Sequence, residues 1–309
     1  MEKKSLRKAF GEFLIEIGER DPRVVALAAD LAKSTYTEMF KEKFPDRHFE
    51  FGIQEQNMMG VAAGLASTGK IPFASTFAVF AAGRAYDQVR LSIAYARFNV
   101  KIVATHAGLA TGEDGASHQM TEDMALMGAI PGMVVLTASD YYSAKAVLRA
   151  AYEYDGPVYV RLIRPSAPVI YDSSLKFEIG DIIEIKKGKD VAIASCGFTV
   201  HESLKAAEIL ERKGVSVGVY DFLTVKPLKT DHLQMFKKYR ALVTVEDHVK
   251  WGGLGSNLVA ALGEAGINLS TRIIAVNDVF GRSGSPEELY RYYGLDAFSI
   301  VAKVEEILG

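Results

Sequence analysis

The sequence predicts an α/β protein built from two consecutive doubly wound domains with mainly parallel sheets. Three observations carry that expectation. Short apolar runs alternate with amphipathic stretches along the chain. The runs are continuously apolar rather than alternating, as in strands covered by helices on both faces. The alternation lapses near residues 170–188, where SSLKFEIGDIIEIKKGK collects Gly and Lys. The expected organisation is a first domain over 1–172, a linker over 173–188 and a second domain over 189–309. With 309 residues, 49% of them hydrophobic, two compact cores are the natural outcome.

In chain order, Leu6, Phe10, Phe13, Leu14 and Ile17 fall at helical spacing, and VVALAAD follows as a buried strand ending at Asp30. The helix QEQNMMGVAAGLASTG, the strand IPFASTF, the helix GRAYDQVRLSIAYA and the strand VKIVAT come next. MVVLTA reads as a strand leading into the helix SDYYSAKAVLRAAYEY. Past the linker, strands DVAIAS, SVGVYDF, RALVTVED and RIIAVND alternate with helices TVHESLKAAEILERKG, TDHLQMFKKY and LGSNLVAALGEAG. No fixed repeat of about 20–50 residues is visible, which excludes solenoids.

Composition narrows the function classes. A net charge of −2, from 36 basic and 38 acidic residues, leaves no electrostatic footprint for nucleic acid or an anionic membrane. The single cysteine, Cys196 in VAIASC, excludes an internal disulfide and reads as a buried thiol. Charges interrupt the apolar residues of MEKKSLRKAFGEF, and no apolar stretch of about 20 residues occurs. A soluble, cytoplasmic protein is expected.

Gly-rich and charged residues gather at the ends of first-domain strands, where open parallel sheets place ligands. Three segments stand out: GIQEQNMMGVAAG, STFAVFAAGRAYDQVR and ATHAGLATGEDGASHQ. Glu55 opens an otherwise small, apolar helix, so its carboxyl is drawn toward a buried interface; a glutamate favoured by the helix dipole is the plain alternative. Phe77 and Phe80 read as rings in a loop beyond the strand, or simply as core. The segment with His106, Asp114 and His118 is too polar and too rich in glycine for a core. In the second domain, Glu246, Asp247, His248 and the GGLGS turn suit either an anion site or close packing, and the packing reading is favoured.

The run FEFGIQEQNMMGVAAGLA, through STFAVF, to ATHAGLATGEDGASHQMTED closely resembles the pyrimidine-binding domain of transketolases. EDHVKWGGLGS and FGRSGSPEELYRYYGL resemble their C-terminal domain. The resemblance implies thiamine diphosphate as cofactor and ketol transfer as activity. It implies that Glu55 hydrogen-bonds the aminopyrimidine, that Phe77 and Phe80 form the pocket around that ring, and that His106 faces the reacting carbon and substrate hydroxyls. Asp114 would bind a substrate hydroxyl. His118 and Arg164 would hold the sugar phosphate, with Arg7 and Ser34 as looser further contacts. Where the family usually carries a tyrosine three residues after the second phenylalanine, this chain has Gly83; Tyr86 lies nearby.

The Gly-Asp-Gly start and asparagine pair with which the family anchors the diphosphate through a metal do not occur here. The resemblance therefore implies a separate N-terminal subunit holding Mg2+ or Ca2+, an α2β2 assembly with self-dimerisation, sugar phosphate substrates, and no metal ligand from this chain. The relatives 1-deoxyxylulose-5-phosphate synthase and the β subunit of 2-oxoacid dehydrogenase E1 share the glutamate, while the residues at 106, 114 and 118 follow the transketolase pattern. A non-catalytic interaction protein of the same fold is the alternative from another class. It would have no use for four costly polar groups around one cavity.

Overall fold

The computed structural model describes residues 2–309. Its strands are β1 (Lys3–Ser5), β2 (Val24–Ala28), β3 (His48–Glu50), β4 (Ile71–Phe77), β5 (Lys101–Thr105), β6 (Val134–Thr137), β7 (Val158–Arg161), β8 (Ser166–Pro168), β9 (Ile183–Lys186), β10 (Val191–Ser195), β11 (Val217–Asp221), β12 (Thr224–Lys226), β13 (Ala241–Val249) and β14 (Ser270–Val276). The first sheet runs β12-β6-β7-β5-β4-β2-β3, and every pair in it is parallel except β12 with β6. The second runs β14-β13-β10-β11-β9 and is parallel except at β9. Two mainly parallel, helix-covered sheets are the expected α/β architecture.

The continuously apolar runs become fully buried strands: β2, β4, β5, β6, β7, β10 and β11 show no exposed position. Local chemistry starts the helices that cover them. Ser5 Oγ accepts from the Lys8 amide and opens the helix Leu6–Arg20, and a reciprocal Asp140–Ser143 capping box opens Tyr141–Glu153. Each β–α connection places a helix N-terminus and a strand C-terminus at the same edge of the sheet. That edge carries the candidate site.

The structure corrects three expectations. The stretch expected to be a linker, 173–188, contains β9, an edge strand pairing antiparallel with β11; its alternating pattern IEIK keeps Ile183 and Ile185 against the core while flanking Gly and Lys mask the period. The helix expected over GRAYDQVRLSIAYA is broken into wide π-helical turns at Val79–Arg84 and Val89–Tyr95 around a short α-turn, Tyr86–Gln88. TDHLQMFKKY forms a 3-10 helix, Thr230–Lys238. Strand β12 was not anticipated: a three-residue piece of the second half extends the first sheet, held by two hydrogen bonds from Lys226 Nζ to the Gly128 and Ile130 carbonyls at 2.7 Å. Cys196 is buried, as its apolar setting suggests. No described helix is long and apolar enough to cross a membrane.

Candidate active site

Glu55 is the first residue of the helix Glu55–Ser67, which follows β3 at the C-terminal edge of the first sheet. Its side chain is 1% exposed and receives Arg84 Nη1 at 3.1 and 3.0 Å on its two oxygens. The π-helical turn Val79–Arg84 brings that guanidinium in and lays it over the Phe80 ring, 4.3 Å from the centroid. A recess of about 320 Å³ opens there, lined by Ile53, Gln54, Glu55, Gln56, Asn57 and Arg84. Phe80 is half-buried, while Phe77 is the last residue of β4 and buried rather than in a loop. Their rings lie nearly parallel with centroids 6.0 Å apart.

Next to this pair, His106 follows β5 with φ of +56°, a left-handed conformation uncommon outside glycine and asparagine. Two hydroxyls fix it. Thr105 Oγ1 meets Nδ1 at 2.9 Å, and Thr111 Oγ1 donates to the His106 carbonyl at 2.6 Å. Its imidazole stacks on Phe77 at 3.7 Å. His118 meets Phe77 and Phe80 edge-on, at 6.2 and 5.7 Å. Burial lowers the pKa of His106 to about 3, helped by the positive fields of Arg7, Arg164 and His118. The ring is therefore neutral at physiological pH.

The three basic residues felt by this imidazole lie at one end of the site. Arg7 reaches it from the N-terminus of the helix Leu6–Arg20, its Nη1 donating to the Ser34 carbonyl at 2.8 Å. Burial lowers the pKa of Arg7, the Tyr36 ring opposes that shift, and neighbouring Arg164 adds to it. Arg7 Nε is buried without a hydrogen-bond partner. Arg164 donates to the Thr111 carbonyl at 2.7 Å and pairs with Glu113 at 3.1 Å and Asp114 at 3.6 Å. His118 is half-buried, its Nδ1 2.9 Å from Ser117 Oγ. Two guanidinium groups that repel each other, one with an orphaned N–H, make a cradle for an anion.

All nine residues singled out in the sequence therefore lie at one edge of the first sheet. Ser34 takes part through its backbone carbonyl. Gly83 is exposed, and a Cβ built there would meet only Met120 Cε, at 4.0 Å, so the pocket wall is open where a tyrosine would stand. Tyr86 is half-buried, packed against the core below. One contributor, Arg84, was missed, and a second, Asp247, was named only within the EDH cluster, where packing was the favoured reading. Arg84 lies inside the flagged segment four residues after Phe80, a spacing that could have placed it over the ring. Asp247 comes from the second domain, and nothing local in the sequence signals its contact.

Within the EDH cluster, Glu246 and His248 take the packing role. Glu246 accepts the Leu254 and Gly255 amides at 2.6 and 2.9 Å, so the helix N-terminus that could have held an anion is already filled by a carboxyl group. Burial raises the pKa of Glu246 to about 8, against those two donors. His248 Nε2 accepts the Ala125 amide at 3.3 Å across the domain boundary. Among the described residues no group of three or more His, Cys, Asp or Glu could hold a metal ion.

A buried carboxyl at a helix start, paired phenylalanines, a neutral histidine and a cationic cradle share the strand ends of an α/β sheet, an arrangement whose chemistry suits a flat ring and an anion. Residues 2–169 match the family described as transketolase, pyrimidine binding domain, and residues 180–300 match transketolase, C-terminal domain. The chain belongs to the transketolase family, whose general reaction is ketol transfer.

A Methanocaldococcus jannaschii protein assigned as a transketolase C-terminal section is 48% identical over 98% of this chain and 96% of its own length. The 6-deoxy-6-sulfo-D-fructose transketolase subunit SqwH of Clostridium sp. (strain MSTE9) is 38% identical over 99% of this chain and 95% of that one. Human transketolase is 36% identical, but this chain spans only 49% of it. Among solved structures, a split gene transketolase in the form of an inactive beta4 tetramer superposes with a TM-score of 0.92 at 45% identity, covering 98% of both chains. Campylobacter jejuni transketolase, 20% identical, shares the fold with a TM-score of 0.86 over 99% of this chain and 47% of its own.

Proposed function

We propose that the chain is the C-terminal subunit of a split transketolase and moves a two-carbon ketol unit from a ketose phosphate to an aldose phosphate only when joined to a separate N-terminal subunit. The observation that carries this reading is Glu55: a carboxyl group 1% exposed at a helix start, bordering an open recess, with Arg84 as its hydrogen-bond partner. The donor set fits the aminopyrimidine end of thiamine diphosphate, since a carboxyl can hydrogen-bond a ring nitrogen and Phe80 and Phe77 offer apolar faces to a flat ring. Thiamine diphosphate, when bound, supplies the carbanion chemistry of the transfer.

The remaining roles fall to this chain's side chains. Glu55 would hydrogen-bond the pyrimidine nitrogen. His106, kept neutral by burial, can accept from a substrate hydroxyl or donate to one. Asp114 accepts from a hydroxyl, and its contact with Arg164 aims it. Arg164, His118 and Arg7 hold the anionic end of the sugar, with the Ser34 carbonyl fixing the Arg7 head. The diphosphate and its Mg2+ or Ca2+ are assigned to the partner in an α2β2 assembly, a division supported by the inactive tetramer formed by the β chains of the 45% identical neighbour. Arg and His clusters read charge rather than the identity of the anion. A sulfonate-ended ketose is therefore a second reading, favoured by the Clostridium relative.

The test is reconstitution. The purified chain is mixed with an N-terminal transketolase subunit, thiamine diphosphate and Mg2+, and ketol transfer is followed from sugar phosphate and sugar sulfonate donors. Turnover confined to the mixture is expected. Turnover by the chain alone would overturn the split-enzyme reading, and an inactive mixture would overturn the transferase reading.

A further inference from the structure

Asp247 is fully buried in the second domain, yet its carboxylate faces the first. Oδ1 accepts the Leu109 amide at 2.8 Å; Oδ2 accepts the Ala110 amide at 3.2 Å and the Tyr290 hydroxyl at 2.9 Å. These two amides open the 3-10 turn Leu109–Asp114, the segment that leads from His106 to Asp114. They are the donors that a helical turn leaves without an internal partner, and a carboxylate from another domain supplies the cap that no side chain of the loop provides.

The backbone is shaped around this contact. Gly108 has φ of +73°, and a Cβ there would stand 2.4 Å from Asp247 Oδ2 and 2.9 Å from Arg161 Nη2, so only glycine lets the loop reach the carboxylate. Arg161, buried and paired with Asp123 at 2.9 Å, donates through Nη2 to the Asp247 carbonyl at 2.8 Å and fixes its main chain. Within the same turn, Thr111 Oγ1 holds the His106 carbonyl, and the Thr111 carbonyl holds Arg164. Hydrogen bonds at both ends of the short backbone Leu109–Thr111 thus join Asp247 to His106, held at positive φ, and to the cationic cradle.

We infer that Asp247 is a positioning residue: by capping the turn Leu109–Asp114 across the domain boundary, it sets His106 and Asp114 for the substrate and makes the second domain part of the site. The inference rests on the function proposed above for His106 and Asp114. Its neighbour Glu246 provides the contrast, being equally buried but capping a helix of its own domain.

The experiment compares Asp247→Asn with Glu246→Gln in the reconstituted enzyme, and Asp247→Asn with Thr111→Val in a double-mutant cycle. Misplacing groups by about 1 Å costs on the order of 100-fold, so Asp247→Asn is expected to lower kcat/KM for the sugar by about that factor. The thiamine diphosphate concentration for half-activation should stay at the wild-type value, because Glu55, Phe77 and Phe80 stand on other elements. Glu246→Gln should lower Tm without touching kcat. In the Thr111→Val background, most of the Asp247→Asn effect should vanish, since both changes act along one path. Equal kinetic effects of the two carboxylate variants, parallel loss of cofactor affinity and kcat, or full additivity with Thr111→Val would overturn the inference. Amide hydrogen exchange on the chain alone reads the clamp without any activity: protection at Leu109 and Ala110 should fall at least about tenfold in Asp247→Asn, the loss of one hydrogen bond. If the wild-type mixture transfers no ketol units, the functional reading fails and the exchange data alone decide the clamp. Unchanged protection overturns it.

Discussion

Glu55→Gln separates a structural carboxyl from a proton partner. The substitution keeps shape and one acceptor oxygen but replaces the other with an amide that points donors at the Arg84 guanidinium. Arg84 is 46% exposed and can turn toward water, so the lost pair is worth about 1 kcal/mol rather than the larger penalty of a fully buried one. Losing a negative charge in the first turn of the helix adds ~0.3–1 kcal/mol. A total near 1–2 kcal/mol corresponds to a fall in Tm of a few degrees for a chain of this size. The catalytic effect should be far larger. Removing a positioned proton partner costs about 10²–10⁴ in rate, or ~3–5 kcal/mol of barrier. The assay pairs urea unfolding of the chain alone with ketol transfer in the reconstituted enzyme at saturating thiamine diphosphate. Wild-type turnover in Glu55→Gln would remove Glu55 from the mechanism. A large loss of stability alongside the loss of rate would show that the carboxyl is structural.

Three further outcomes follow from the geometry. Gly108→Ala, which adds strain at φ +73° and drives a methyl into the Asp247 carboxylate, should cost ~2–6 kcal/mol in urea unfolding; stability within 1 kcal/mol of wild type would contradict the close approach described for this loop. His106→Asn keeps a residue that tolerates the left-handed conformation but removes the titrating ring. Because the folded imidazole titrates at about 3 and an unfolded one near 6.5, the unfolded wild type takes up the proton first as pH falls. Wild type should therefore lose about 2 kcal/mol relative to the variant between pH 7 and pH 5; parallel unfolding free energies at the two pH values would show that His106 is not held neutral. Gly83→Tyr should change stability by no more than about 0.5 kcal/mol, since the added Cβ meets only Met120 and the position is exposed. A drop of several degrees in Tm would show that this wall is closed.

Burial in a parallel sheet made much of the fold legible. A strand covered on both faces must be apolar at successive positions, so VVALA, IPFASTF and DVAIAS announce β2, β4 and β10 without regard to neighbours. The candidate site was legible for a related reason: polar residues gather just beyond such runs, as His106 does after β5 and Arg164 after β7. Edge and crossing elements were not legible. β9 is half-exposed among Lys and Gly, and β12 is three residues long and acquires its partner only through β6. The π-helical turn at Val79–Arg84 differs from an α-helix by where its hydrogen bonds close, which the apolar pattern does not encode. The helix Pro286–Tyr292 was not anticipated, although SPEE carries a capping box made by Ser285 and Glu288. Asp247 and Leu109 are 138 positions apart, so only the folded chain brings them together.

The two ends of the site are built to different degrees. At the sugar end, His106 is fixed by Thr105, Thr111 and the Phe77 ring, and its loop is capped by Asp247, so the geometry is over-determined within one chain. At the proposed cofactor end, Glu55 has a half-exposed arginine as its partner; Ile53 of the same recess is 72% exposed, and Leu91 at 53% and Tyr95 at 84% are exposed on a segment packed against the Glu55 helix. Isolated exposed apolar side chains are ordinary, but three on adjoining elements form a surface with a reason to be covered. A division of labour follows for the proposed split enzyme. In that proposal this chain would prepare the substrate end in advance, and docking of the partner would exclude water from Glu55 and place the ring it is to serve, so the energy of assembly would be spent where the chemistry begins.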